Sequence, residues 1–470
     1  MKIGLITLGC DKNTVDSERY LAALIGHGAE HTTRLDEAEV IVVNTCGFID
    51  AAKQESIDTL IAAGRLKVEG VCRAVVAVGC LVQRHERELA AELPEVDLFL
   101  GSSEMHRLIP ELERRGLVGD PVTEHPGVRQ YAGDLPHVRY LKVSEGCDHG
   151  CAFCAIPLMR GRHRSFSLDD VLADARLLEA QGAREVNLVA QDLAHYGRDR
   201  RDGVGLAELL DALIRETGIP WLRMLYLYAT GLTPRLLELM ARERRIVPYL
   251  DIPIQHASDS VLARMRRPER ARTIRERVAR VRDVVPDLAI RTTCIVGFPG
   301  ETDEDFQLLL EFLEEIRFER VGVFTYSSQE GTKAAELPDD VPMEVKLDRL
   351  ARLSELQRGV TAERYERLIG KRVPAIVDRL HDEERGAGAV EARLIWQADD
   401  VDGITHLAGA RGVAAGSIVD VVVDDVVDDF DFEATYRGVL VDGRSAIPTT
   451  QRGGRTLPLL ASSAAGSFGR

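Results

Sequence analysis

Short apolar runs separated by amphipathic stretches open the chain, which is the pattern of strands alternating with helices. Lys2–Leu8, Val40–Asn44 and Ala74–Val78 read as strands; Ser17–Gly26, Asp50–Ala63 and His85–Leu93 read as helices. Strict alternation of this kind builds a parallel sheet. Residues 115–135 hold Gly116, Gly119, Pro121, Pro126, Gly127 and Gly133 and read as a linker. A second series follows, with strands at Tyr140–Ser144, Glu185–Ala190, Leu222–Tyr228, Tyr249–Ile252, Ile290–Val296 and Val321–Thr325. Leu168–Gln181 and Asp305–Ile316 are helices between them. Six such units predict a partial (β/α)6 barrel, smaller than the eight-unit closed form. Val345–Ile369 reads as one long helix ending at Gly370. Beyond it, Arg372–Asp378, Ala389–Trp396, Ile418–Val423 and Phe432–Leu440 are strands with no helices between them, a small all-β barrel. The fold class is therefore α/β, with units expected at 1–114, 133–364 and 367–438 and a disordered Gly/Ser/Ala-rich tail at 445–470.

Composition narrows the class. At 470 residues the chain is too long for one core. No apolar run approaches the roughly 20 residues of a membrane helix, and the N-terminus lacks a signal-peptide pattern, so a cytoplasmic protein without membrane contact is expected. The net charge is −16, which speaks against direct nucleic-acid binding. Eight cysteines in a chain of this length are not a disulfide framework.

The cysteines fall in groups. Cys10, Cys46 and Cys80 each follow directly on a predicted strand, and sites in parallel sheets form at the carboxyl ends of strands. Three thiols at three such ends can meet. Cys147, Cys151 and Cys154 follow the first strand of the second series with C-x3-C-x2-C spacing. A tight loop with three thiolates can bind three irons of a cubane and leave the fourth without a protein ligand. Zinc is the rival metal, and it wants four ligands; His149 is the one candidate for the fourth. Cys72 and Cys294 fit neither trio and read as packing residues.

C-x3-C-x2-C at the end of the first strand of a six-unit barrel resembles the radical S-adenosylmethionine superfamily. Closer wording points to its methylthiotransferases: Gly9-Cys10-Asp-Lys-Asn13, Asn44-Thr-Cys-Gly-Phe-Ile49, Gly79-Cys80-Leu-Val-Gln-Arg84, Glu145-Gly-Cys147, Asp251-Ile-Pro-Ile-Gln-His256 and Gly297-Phe-Pro-Gly-Glu-Thr302. The resemblance implies two [4Fe–4S] clusters, on Cys10, Cys46 and Cys80 and on Cys147, Cys151 and Cys154, with S-adenosylmethionine as cofactor. It places Phe153 near the adenine and the final β unit in the TRAM class. Gln191, Gln255 and Val296 are expected to line the cofactor. Arg160, Arg162 and Arg164 are candidates to neutralise thiolate or cofactor charge, or are a solvated basic loop.

Within that family, Val15-Asp-Ser-Glu18, Cys46-Gly-Phe-Ile-Asp50 and Tyr140-Leu-Lys-Val143 resemble the branch acting on ribosomal protein S12, free or on the small ribosomal subunit. The activity this implies is methylthiolation of an aspartate β-carbon. A 5′-deoxyadenosyl radical would remove the hydrogen, and the N-terminal cluster would deliver the sulfur. An electron donor and a sulfur source are further partners. Residues 371–444 carry 16 acidic and 8 basic residues, a net of −8 that suits a basic protein better than RNA. The alternatives are methylthiolation of a tRNA adenosine and a non-catalytic electron carrier, which would want four protein ligands per cluster.

Overall fold

The computed structural model describes residues 1–121, 129–131, 133–381 and 390–440. The expected tail at 445–470 and part of the linker lie outside them.

In the N-terminal unit, strands rich in Val and Ile line up in parallel in the order Glu30–His31, Lys2–Thr7, Val40–Thr45, Ala74–Gly79, Leu98–Gly101. Val40–Thr45 and Ala74–Gly79 are buried along their whole length, because helices cover both faces. The helices begin earlier than hydrophobic periodicity predicts. Asp11–Gly26 starts six residues before Ser17, and Cys80–Glu92 starts five before His85. The first turn of Asp11–Gly26 looks polar because it faces a polar interior. Asn13, Asp16, Ser17 and Glu18 are buried, and Asn13 Nδ2 donates to the Leu8 and Thr45 carbonyls at 2.7 and 3.2 Å.

The central unit is an open sheet of six parallel strands, in the order Arg320–Thr325, Ala289–Val296, Ile246–Asp251, Trp221–Met224, Glu185–Val189, Val138–Lys142. Its helices and outward-facing Leu, Ile and Val side chains make the largest core of the chain. The strand expected at Leu222–Tyr228 stops at Met224. Tyr226 takes a left-handed backbone, φ 61°, so residues 225–228 turn out of the sheet.

Helix Met343–Glu366 joins the central unit to a closed five-stranded barrel, placing Leu353 in one core and Tyr365 in the other. The barrel runs in the order Arg372–Leu380, Val390–Leu394, Thr405–Ala408, Asp431–Val439, Ile418–Val427. Thr405–Ala408 escapes sequence reading because four residues are too few to show a period.

The two outer units close opposite ends of the central sheet. Ile376, Ala398 and Ile418 of the β barrel pack on Trp221, Val247, Tyr249 and Ala289, at the amino ends of the strands. Beneath them is a buried charge chain. Arg223 Nε donates to Glu185 at 2.7 Å, Arg393 spans Glu185 and Asp378 at 2.7 and 2.6 Å, and His137 lies 2.9 Å from Asp378. The N-terminal unit covers the carboxyl ends. It reaches one edge strand through Asp16 and Lys142, and the segment after the other edge strand through Ser327 to Asp50 at 3.0 Å and Arg84 to the Glu330 carbonyl at 2.9 Å. No helix among the described residues is long and apolar enough to cross a membrane.

Candidate active site

Gly9 and Gly79 have φ of 92° and 102°, which ends each strand abruptly and drops the next residue, a cysteine, into position to start a helix. At Gly9 the approach is close: a Cβ there would sit 2.7 Å from Cys46 Cβ and 2.8 Å from Cys46 Sγ. That close approach to Cys46, and the electrostatic influence of both Cys10 and Cys46 on the Cys80 thiol, show the first trio gathered in one place. Burial pushes Cys80 up to about 12, against the pull of Arg160. The backbone N–H of Cys46 donates to Ser56 Oγ at 3.0 Å.

The second trio lies on the loop after Ser144–Glu145. Gly146, φ 77°, packs so tightly on the Arg162 carbonyl that no side chain fits. Burial pushes Cys147 up to about 11 and Cys154 up to about 12. Cys151 Sγ lies 3.1 Å from the Tyr228 hydroxyl. The Tyr228 ring is sandwiched between His149, stacked at 4.0 Å, and the Arg267 guanidinium, also 4.0 Å from its centroid. His149, the expected fourth-ligand candidate, lies 2.8 Å from Asp192 and stacks on His195 as well.

Two bridges join the trios. Helix Ile156–Arg160 begins two residues after Cys154, and its Ala155 and Met159 side packs on Cys80. Its last residue, Arg160, donates from Nε to Cys80 Sγ at 3.2 Å and from Nη1 to Asp16 at 2.5 Å, with Nη2 on Asn13. The second bridge is the out-turned segment 225–228. Tyr228 faces Cys151, while the Tyr226 hydroxyl is 3.1 Å from Asp11, beside Cys10, with Lys12 Nζ 3.3 Å above its ring. Nothing in the sequence marked Tyr226 or Tyr228, because their strand ends at Met224, nor Arg267, which lies past the end of helix Asp259–Arg264.

The remaining expected residues fall as follows. Phe153 packs on the buried cluster that holds Ala152, Phe298 and Tyr326. Gln191 Nε2 donates to Glu145 at 3.0 Å, and its buried Oε1 lacks a hydrogen-bond partner. Gln255 has φ 71° and bridges the backbone of Cys294. The Val296 side chain joins the outer core. Of the three arginines, Arg160 alone meets a cysteine; Arg162 and Arg164 are exposed. Cys72 and Cys294 are core residues.

An open barrel of six parallel strands with three thiols after its first strand defines the class of radical S-adenosylmethionine enzymes. Residues 141–313 match the Radical SAM superfamily, and residues 2–101 match the family described as Uncharacterized protein family UPF0004. The fold is shared with the radical S-adenosylmethionine methyltransferase TsrM of Kitasatospora setae, TM-score 0.52 at 14% identity, over 68% of this chain and 72% of that one. The chain is 46% identical to ribosomal protein uS12 methylthiotransferase RimO of Anaeromyxobacter sp. (strain Fw109-5), over 90% of this chain and 91% of that one. It is 43% identical to the protein of that name from Geobacter sulfurreducens, over 91% and 97%, and 40% to that from Aquifex aeolicus, over 91% and 96%. The chain belongs to the family of ribosomal protein uS12 methylthiotransferases.

Membership brings a [4Fe–4S] cluster and S-adenosylmethionine as cofactors. The donor sets fit iron. All six cysteines are free, and burial holds those with raised pKa in the thiol form until a metal compensates the thiolate charge.

Proposed function

We propose that this chain methylthiolates the β-carbon of an aspartate in ribosomal protein uS12, with Cys147, Cys151 and Cys154 holding the cluster that binds S-adenosylmethionine and Cys10, Cys46 and Cys80 holding a second [4Fe–4S] cluster for sulfur. The division of labour follows 1–114, 133–364 and 367–438. The observation that carries the reading is that Arg160 and segment 225–228 link the two trios. An aspartate β-C–H resists every side-chain base, so the bound cofactors supply the missing chemistry, a 5′-deoxyadenosyl radical on one side and reactive sulfur on the other.

The chain's own residues organise the site. Arg160 places a fixed positive charge on Cys80, and Arg267 stands 3.9 Å from Cys151. The aromatic stack of His195, His149 and Tyr228 fixes one wall, held by Asp192, which accepts from the Tyr228 N–H at 3.2 Å. Phe153, Gln191, Gln255 and the backbone at Val296 are the proposed cofactor contacts, and the buried Gln191 Oε1 without a partner suits an incoming donor. An electron donor and a sulfur source complete the cycle. Exposed Asp424, Asp425 and Glu433 on the terminal barrel favour the basic protein over tRNA as substrate.

Reconstitution with iron and sulfide tests the assignment. Roughly eight irons per chain are expected, falling to roughly four in the Cys147→Ala/Cys151→Ala/Cys154→Ala variant, with loss of S-adenosylmethionine cleavage. Cleavage that survives the triple substitution removes the radical assignment. Mass spectrometry of uS12 from cells lacking the protein should show the methylthio increment missing while tRNA is unchanged.

A further inference from the structure

The inner face of the open barrel carries a row of side chains with no part in holding either trio. On Ala289–Val296, Ile290, Cys294 and Val296 enter the outer core, so Arg291, Thr293 and Ile295 face the lumen. Ile295 packs on the buried cluster that includes Ala152 of the second trio's loop. On the adjoining edge strand, Gly322 pairs with Thr293 and Phe324 with Ile295. Phe324 is 51% exposed, a large apolar ring open to the lumen at the sheet's free edge.

Arg291 is the charged member of the row. Its Nη1 donates to Asp251 Oδ1 at 3.2 Å, and its other N–H groups meet no hydrogen-bond acceptor among the described residues. The side chain is 21% exposed. A guanidinium with one edge held and the other open is a fork for a planar anion. Gly322 keeps that edge clear: a Cβ there would lie 3.7 Å from Arg291 Nη2 and 3.8 Å from Thr293 Oγ1.

Its position relates it to both trios. The other oxygen of Asp251 accepts from the Tyr226 N–H at 3.3 Å, and the Tyr226 hydroxyl reaches Asp11 beside Cys10. In the other direction, Ile295 lies about 13 Å along the strand, against the buried cluster that Ala152 of the second trio's loop joins. Of the other nearby cations, Lys12 is engaged on the Tyr226 ring, and Arg320, the register partner of Arg291, is tied to the Asp402 and Phe430 carbonyls.

We propose that Arg291 binds the side-chain carboxylate of the substrate's aspartate, with Thr293 beside it and Phe324 as the apolar wall. The assignment rests on the uS12 reading and deepens it. The reacting β-carbon is bonded directly to that carboxylate, so gripping one positions the other between the trios. The base of an adenosine has no carboxylate to offer, so the same arginine discriminates between the two substrate classes.

The test uses the full-length enzyme reconstituted with iron and sulfide, and uS12 itself. Arg291→Gln should raise KM for uS12 at least tenfold, while iron content and S-adenosylmethionine cleavage without uS12 stay at wild-type levels. Arg291→Lys should recover part of the loss. An unchanged KM in Arg291→Gln overturns the assignment. Should that variant lose iron, Gly322→Val decides: it keeps the arginine but fills the space at its open edge, and again the KM must rise or the assignment falls. Wild-type enzyme that leaves uS12 unmodified would overturn the substrate reading and this assignment with it; modification by wild type with no KM change in either variant overturns this assignment alone.

Discussion

The Arg160 guanidinium draws its partners from both halves of the site: Cys80, Asn13 and Asp16 from the N-terminal unit, Glu145 from the central one. Asp16 is buried, and although burial works to raise its carboxyl, Lys142 and Arg160 hold it below the ordinary range. Arg160→Gln leaves that carboxylate short of a partner and should cost about 3 kcal/mol in denaturant unfolding. Arg160→Lys keeps the charge but loses the fork and should fall between. Tyr228→Phe is a milder change. The ring keeps its place between His149 and Arg267 but loses the hydroxyl facing Cys151. Fold and iron content should be unaltered, and the potential of the Cys147/Cys151/Cys154 cluster, read by redox titration, should become more negative.

Among elements, the decisive ones are the abrupt strand-to-helix junctions. A Cβ at Gly79 would lie 2.4 Å from Asn44 Oδ1 and 2.8 Å from the Thr45 carbonyl, and the residue has φ 102°. Gly79→Ala should therefore displace Cys80 and cost roughly four irons per chain on reconstitution, while S-adenosylmethionine cleavage persists. These junctions also show what was legible in the sequence. Strand ends were readable because Cys10, Cys46 and Cys80 each follow an apolar run, which grouped the first trio; the second was grouped by its C-x3-C-x2-C spacing. The helix start at Asp11 was not readable, because its inward face carries Asn13, Asp16 and Ser17, which pack through hydrogen bonds that no hydrophobic period reveals. Tyr226 and Tyr228 were assigned to a strand that ends before them; one left-handed residue diverts the chain, and an aromatic residue carries no sign of that in its letter. Arg160 was one of three equal candidates until the turn of a five-residue helix singled it out.

Across the whole molecule, the terminal barrel is fixed to the amino ends of the central sheet by the charge chain Arg223, Glu185, Arg393, Asp378 and His137. Burial would raise the Glu185 carboxyl, but Arg393 and Arg223 outweigh it and hold it below the usual range; Asp378 is lowered in the same way by Arg393 and His137. Carboxyls so depressed contribute stability that is complete above their unfolded-state values and is lost as pH falls below them. Thermal unfolding should therefore show a steep loss below about pH 4. Glu185→Gln should flatten that loss and cost about 3 kcal/mol at neutral pH, since two buried arginines are left short of charge.

The hydrogen bond from Arg160 to Cys80 has a consequence for how the protein can be taken apart. One thiol of the N-terminal trio is dressed by a side chain from beyond the linker, so an excised first unit would present that thiol undressed and its neighbour Asp16 stripped of both cations. Maturation of the proposed sulfur centre should thus wait on docking of the two halves, and a chimera that exchanges the first hundred residues should need a matching partner for position 160 to keep that pocket intact.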